Sequence, residues 1–182
     1  MKPPKPAAQM TVAELAAYID HSVLKPDFTP DDIRREVAAG IAYGCRTVCI
    51  NPASIGIANP LCADTSTGVC VVVDFPFGCS TTPSRVAQTH DVLDAGVDEV
   101  DIVANYGRIR GGDLHSVEDD LRAVIDPCHA AGVPVKVILE TDALTKPQIR
   151  DAAEAAIAAG ADFIKSSTGF YTGANQHASP GA

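Results

Sequence analysis

Positive charge is scarce in this sequence. Its 182 residues carry 14 Lys and Arg against 23 Asp and Glu, a formal net charge of −9. Such a chain repels nucleic acid and anionic lipid, so no nucleic acid and no membrane is expected as a partner. An anionic small substrate would need a local basic pocket against that background. No apolar run approaches the ~20 residues of a membrane span. The first ten residues carry lysines and prolines but no apolar core, so they do not read as a signal peptide. The six cysteines (Cys45, Cys49, Cys62, Cys70, Cys79 and Cys128) form no Cys-x-x-Cys pair. Buried reduced thiols in a cytosolic protein are therefore expected, rather than a disulfide framework or a zinc site. A Gly-x-Gly-x-x-Gly after the first strand is also missing, which argues against a dinucleotide-dependent oxidoreductase.

What is present is one domain's worth of apolar sequence, 46% of the residues. Thr11-Val12-Ala13-Glu14 fits a capping box, with a short helix continuing through Leu15 to Ile19. A first strand begins near Asp20, within Asp20-His21-Ser22-Val23-Leu24. Thr29-Pro30 caps a helix that stops at Gly44. Thr47 to Ile50 is the second strand, Pro52 to Leu61 a short helix or turn, and Val69 to Val73 the third strand. Thr82-Pro83 repeats the cap-plus-proline signal for a helix ending at Gly96. Glu99 to Val103 is the fourth strand, with Asn105-Tyr106-Gly107 and Gly111-Gly112 as its loop. Ser116 caps a helix ending at Gly132. Val135 to Leu139 is the fifth strand, a helix runs from about Pro147 to Gly160, and Phe163 to Lys165 is the sixth strand.

Strands alternating with helices imply a parallel sheet with right-handed crossovers. An open doubly wound sheet and a closed (β/α)8 barrel both fit. Polar residues recurring at strand ends favour the barrel, whose chemistry sits at its C-terminal rim. Only about six βα units are found, and the sequence after Gly169 loses its apolar periodicity. The expected organisation is a flexible extension over 1–10, a partial (β/α) barrel over 11–169 and an irregular tail over 170–182.

The sixth strand ends on a lysine, Lys165, followed by Ser166, Ser167, Thr168 and Gly169. Small hydroxyls and a permissive glycine suit a loop that wraps an anion such as phosphate. Strand parity puts Asp101 on one face with Val103, Lys136 with Ile138, and Lys165 with Phe163. If those faces point inward, Asp101, Lys136 and Lys165 converge. A structural reading is a buried Asp101–Lys136 ion pair. The chemical reading adds Lys165: a second ammonium nearby disfavours its charged form, leaving free amine to attack a carbonyl while Asp101 moves protons.

With these residues the chain closely resembles the deoxyribose-phosphate aldolases, a family of class I Schiff-base aldolases with a (β/α)8 barrel. The resemblance runs from about Ala17 to Gly169. It rests on Asp20 to Pro26, Val48-Cys49-Ile50-Asn51-Pro52, Phe75-Pro76-Phe77-Gly78, Glu99 to Val103, Lys136 to Thr141 and Phe163 to Gly169. It implies reversible cleavage of 2-deoxy-D-ribose 5-phosphate to D-glyceraldehyde 3-phosphate and acetaldehyde. Lys165 matches the Schiff-base lysine, Asp101 the proton-shuttling aspartate and Lys136 a lysine beside it. Asp20 and Cys49 match pocket-lining residues, with Ser166, Ser167, Thr168 and Gly169 as substrate-binding residues. No metal and no organic cofactor is implied, because the iminium itself is the electron sink. A cytoplasmic homodimer acting in deoxynucleoside breakdown is implied as well.

The chain departs from the family pattern. A second lysine in a Lys-x-x-Gly-Gly stretch on the seventh strand, and the glycine-rich phosphate loops after strands seven and eight, have no counterpart here. The expectation is a C-terminally truncated member. Ser166 stands where threonine is usual, and Phe77 where a smaller aliphatic residue is common. The alternative is an inactive remnant of a barrel that serves only as a binding or assembly partner.

Overall fold

A computed structural model describes residues 4–175. They fall into two compact units, Met1–Val71 with Gly96–Asp98, and Val72–Ala95 with Glu99–Ala182. The expected 1–10 extension and 170–182 tail lie partly outside the described residues. Strands follow chain order, β1 to β6, and every pairing given below is parallel. That order is the one a (β/α) barrel requires, with six of its eight strands.

The first unit opens with helix α1 (Val12–Ala16), closed at its N-terminus by the Thr11–Glu14 capping box. It is shorter than the sequence suggests, because the chain turns at Ala17 before strand β1 (Asp20–Val23). Helix α2 (Pro30–Tyr43) starts on a Thr29–Asp32 capping box and stops at a left-handed Gly44. Strand β2 (Thr47–Ile50) is wholly buried and pairs with β1 and with β3 (Gly68–Val73), which runs on into the second unit. Helix α3 (Ile55–Cys62) lies between β2 and β3 in the chain. Gly40 lets α2 sit against β2: a Cβ there would lie 2.7 Å from the Val48 side chain.

In the second unit, helix α4 (Thr82–Asp94) has Thr81 at its N-cap position, one residue before the expected Thr82, with no capping bond from its side chain. The Thr82 hydroxyl instead donates to Asp120, at 2.5 Å. Strand β4 (Glu99–Val103) is buried throughout. The expected loop after it contains a short helix, α5 (Tyr106–Arg110), because the Asn105 side chain accepts from the Arg108 N–H and caps it. Helix α6 (Leu114–Ala130) begins at Asp113, not at Ser116; the Asp113 carboxylate accepts from the Ser116 N–H. Its buried stripe of Val117, Leu121, Val124, Ile125 and Cys128 follows helical spacing. Strand β5 (Val135–Ile138) pairs with β4 and with β6 (Phe163–Lys165). Between them runs helix α7 (Lys146–Ala158), with a Thr145–Gln148 capping box.

A repeated Gly-x-Asp sets where strands begin. The Asp98 carboxylate, just before β4, accepts from the Val69 N–H of β3 at 2.7 Å. The Asp162 carboxylate, just before β6, accepts from the Val135 N–H of β5 at 2.8 Å. Each aspartate ties the end of a helix–strand turn to the start of the preceding strand and so helps fix register. Of the six cysteines, five are buried; Cys79 is exposed, against expectation, because it sits in the turn after Gly78. Among the described residues no helix is long and apolar enough to cross a membrane.

Candidate active site

The pairing of β4 with β5 sets Asp101 opposite Lys136, and that of β5 with β6 sets Ile138 opposite Lys165. Side chains two apart share a face, so the three polar groups meet. Asp101 is fully buried and divides its carboxylate between two ammoniums. Its Oδ1 accepts from Lys136 Nζ at 3.1 Å and its Oδ2 from Lys165 Nζ at 2.7 Å. The Lys165 side chain is 28% exposed, so its amine is partly open while its partner is not. Burial works to raise the Asp101 carboxyl. The charges of Lys136 and then Lys165, and their hydrogen bonds, outweigh it and hold the group below the usual carboxylate range.

Glu99 joins this cluster. It is 2% exposed, and its Oε2 accepts from Lys136 Nζ. Glu99 lies two residues before Asp101 and so on the same strand face, a signal that strand parity alone carries. Two carboxylates and two ammoniums therefore face one another, and Asp101 stands as the bridge between the lysines. Lys136 Nζ also lies 6.0 Å from the centre of the Phe163 ring, its partner on β6.

The loop after β6 does bind an anion, and that anion is internal. Glu140, 1% exposed, follows β5 in a left-handed conformation with φ 56°. A non-glycine residue there carries a penalty of about 1–2 kcal/mol. Its Oε1 accepts from the Ser167 hydroxyl at 2.7 Å, and its Oε2 from the Thr168 hydroxyl; the Thr168 N–H points at both oxygens, at 3.4 and 3.3 Å. The Gly169 N–H donates to Ser167 Oγ at 3.0 Å, and the Ser166 carbonyl accepts from the Thr141 N–H at 2.8 Å. Burial and then the Glu140 charge push the Tyr106 phenol above its ordinary value.

Residues 170–175 form no helix or strand, yet they pack on the same side. Phe170 meets Phe75 edge-on at 5.4 Å, Tyr171 meets Tyr106 at 6.2 Å, and the Asn175 amide donates to Asp142 at 3.0 Å. Behind the loop after β3, Arg85 is 1% exposed. Its guanidinium donates to Asp120 and to the Val103 carbonyl at the end of β4, and faces Asp74 at 3.4 Å. Gly78 completes that loop at φ 61°, where a Cβ would come within 2.6 Å of the Ala104 carbonyl oxygen.

The remaining predicted residues belong to the first unit. Cys49 is buried in β2, and the Asp20 carboxylate accepts from the Thr47 hydroxyl at 2.8 Å. That unit also has a polar surface pocket of about 410 Å³, lined by Asn59, Thr65, Thr67, Gly68 and Asp98 among others. It contains none of the predicted site residues.

An amine in its uncharged form beside a buried carboxylate is a pairing that can attack a carbonyl and pass protons. Comparison with known proteins points the same way. The profile of the DeoC/LacD family of aldolases matches residues 15–181. A deoxyribose-phosphate aldolase of Exiguobacterium is 44% identical over 161 residues, 88% of this chain and 72% of that protein. One from Micrococcus luteus is 41% identical over 169 residues, 90% of this chain and 74% of that protein. Among solved structures, a candidate deoxyribose-phosphate aldolase from Coccidioides immitis superposes with a TM-score of 0.85 at 33% identity, covering 89% of this chain and 63% of that one. The deoxyribose phosphate aldolase of Aeropyrum pernix, described as a tetramer, gives 0.82 at 28% identity, with 89% and 68% covered. This chain thus spans between three-fifths and three-quarters of the length of these relatives.

Proposed function

The chain belongs to the DeoC/LacD family of aldolases, and we propose that it reversibly cleaves 2-deoxy-D-ribose 5-phosphate to D-glyceraldehyde 3-phosphate and acetaldehyde. The single observation behind this is the contact between Lys165 Nζ and Asp101 Oδ2 at 2.7 Å. The Lys165 amine, in its uncharged form, attacks the aldehyde carbon of the open-chain sugar. The carbinolamine loses water to leave an iminium. A base then takes the proton of the C3 hydroxyl, and the C2–C3 bond breaks. Its electron pair moves into an enamine on Lys165, and C3 leaves as the aldehyde of glyceraldehyde 3-phosphate. Protonation at the enamine carbon and addition of water release acetaldehyde and restore the amine.

Asp101 suits the proton transfers because its lysine partners keep it ionised despite burial. Lys136 holds Asp101 in place and balances Glu99. Ser166, Ser167, Thr168 and Gly169 border the substrate beside Lys165, and Asp20 and Cys49 are carried as substrate-facing residues on the family likeness. Residues 11–169 are the aldolase portion in this reading. A cytoplasmic setting and a homodimer complete it.

The test is acetaldehyde with borohydride, followed by peptide mapping. An N-ethyl group on Lys165 is expected. A folded chain with Lys165 unmodified would instead favour the inactive remnant.

A further inference from the structure

The donors of the loop after β6 converge on a carboxylate that the chain itself supplies. Ser167 O–H, Thr168 O–H and Thr168 N–H all point at Glu140, and Gly169 N–H closes the turn onto Ser167 Oγ. Glu140 is buried, and its backbone is held in a left-handed conformation that only a well-determined environment sustains. The loop follows directly on Lys165, whose carbonyl accepts from the Leu139 N–H at 3.0 Å, while the Ser166 carbonyl accepts from Thr141 N–H. The residues on either side of Glu140 thus bind the backbone of Lys165 and Ser166, and its side chain binds the next two residues.

We propose that Glu140 is a positioning and specificity residue: a built-in anion that fixes Lys165 and its loop, and that keeps phosphate away from Ser167 and Thr168. A phosphate at those donors would displace the carboxylate or lie against it, with little water to screen two like charges. The group recognised beside Lys165 is accordingly a neutral carbonyl compound, of which acetaldehyde is the smallest useful probe. The phosphate end of a phosphorylated substrate is bound elsewhere. This deepens the aldolase reading and rests on it for the role of Lys165, but not for the exclusion of phosphate.

The experiment uses the full chain, with E140Q and E140A beside it. Glu140→Gln keeps the shape and one acceptor but drops the charge; Glu140→Ala removes both. Inorganic phosphate is titrated while the Ser167 and Thr168 amide signals are followed by NMR. The unaltered chain is expected to show no phosphate-dependent shift at these amides at millimolar concentration, whereas E140Q gains one. Acetaldehyde–borohydride labelling of Lys165 is expected to slow by about tenfold or more in E140A, through loss of a charge-assisted hydrogen-bond set, with partial rescue in E140Q. A shift of these amides with phosphate in the unaltered chain would overturn the proposal, and that arm needs no variant to fold. So would a folded E140A that labels at the original rate. If Lys165 labels in no form, the aldolase reading falls while the phosphate titration still decides the role of Glu140.

Discussion

Lys165 Nζ donates to Asp101 Oδ2 at 2.7 Å, a contact between residues 64 positions apart in the chain. It forms because β4 and β6 both pair with β5 and each presents a polar side chain on the shared face. Asp101 is fully buried and Lys165 is not. The pair therefore has a fixed acceptor and a reachable amine, the asymmetry that an imine-forming site needs.

Asp101→Asn preserves size and removes the proton acceptor. Loss of a positioned general base typically lowers a rate by about 10²–10⁴, and a fall in that range is expected for imine formation at Lys165. The rate of borohydride-trapped acetaldehyde incorporation checks it, alongside cleavage of deoxyribose phosphate. Trapping by D101N at the unaltered rate would remove Asp101 from the mechanism.

The same residue makes stability depend on acid. Its folded carboxyl is held below the usual range by Lys136 and Lys165, against the upward pull of burial. In the unfolded chain it titrates near 3.9. The folded state therefore binds this proton more weakly, and the stabilisation is complete above that unfolded value. It disappears as pH falls through the lower folded one. Urea midpoints should decline from about pH 4 downward. In D101N that decline should be shallower, from a lower starting stability. An equally steep decline in both chains would assign the acid sensitivity to other carboxylates.

Arg85 should be among the least replaceable residues of the second unit. Burial works to lower its pKa, and Asp120 and Asp74 act in the opposite direction. Removing one partner of a buried ion pair costs about 3–5 kcal/mol because the other charge stays behind. Arg85→Ala is expected to destabilise by that order, read from urea unfolding. Arg85→Lys should recover little, since one ammonium cannot reproduce a guanidinium fork that reaches both Asp120 and the Val103 carbonyl. A destabilisation below about 1 kcal/mol for R85A would mean that water replaces the guanidinium there.

Strand parity made Asp101, Lys136 and Lys165 legible in the sequence, since period-two alternation is fixed by the backbone once strands are located. Glu99 was equally legible by the same count, two residues before Asp101. Glu140 was not. Its left-handed turn comes from the contacts it makes with Ser167 and Thr168, 27 and 28 residues on, and non-glycine residues in that conformation have no compositional mark. Arg85 was hidden for a related reason: an arginine in an amphipathic helix reads as solvated, and only packing shows otherwise. The helix starts at Thr81 and Asp113 were misplaced by one and three residues because each stretch offers two good capping side chains. Which one caps depends on where the preceding loop ends.

Lys136 offers a way to separate charge balance from chemistry. Its ammonium serves Glu99 and Asp101 together, both of them buried. Lys136→Met keeps the length of the stem and leaves two carboxylates facing each other. A loss of about 3–5 kcal/mol is expected, with one of the pair driven to bind a proton. Adding Glu99→Gln removes one of those charges and leaves Asp101 with Lys165, so the double variant should be more stable than K136M alone. The two changes are then non-additive, as expected of groups that share one salt-bridge network. Acetaldehyde labelling of Lys165 in the double variant supplies the chemical half. Retained labelling would limit Lys136 to holding Asp101, whereas its loss in a folded protein would show that the Lys136 charge acts on the imine step itself.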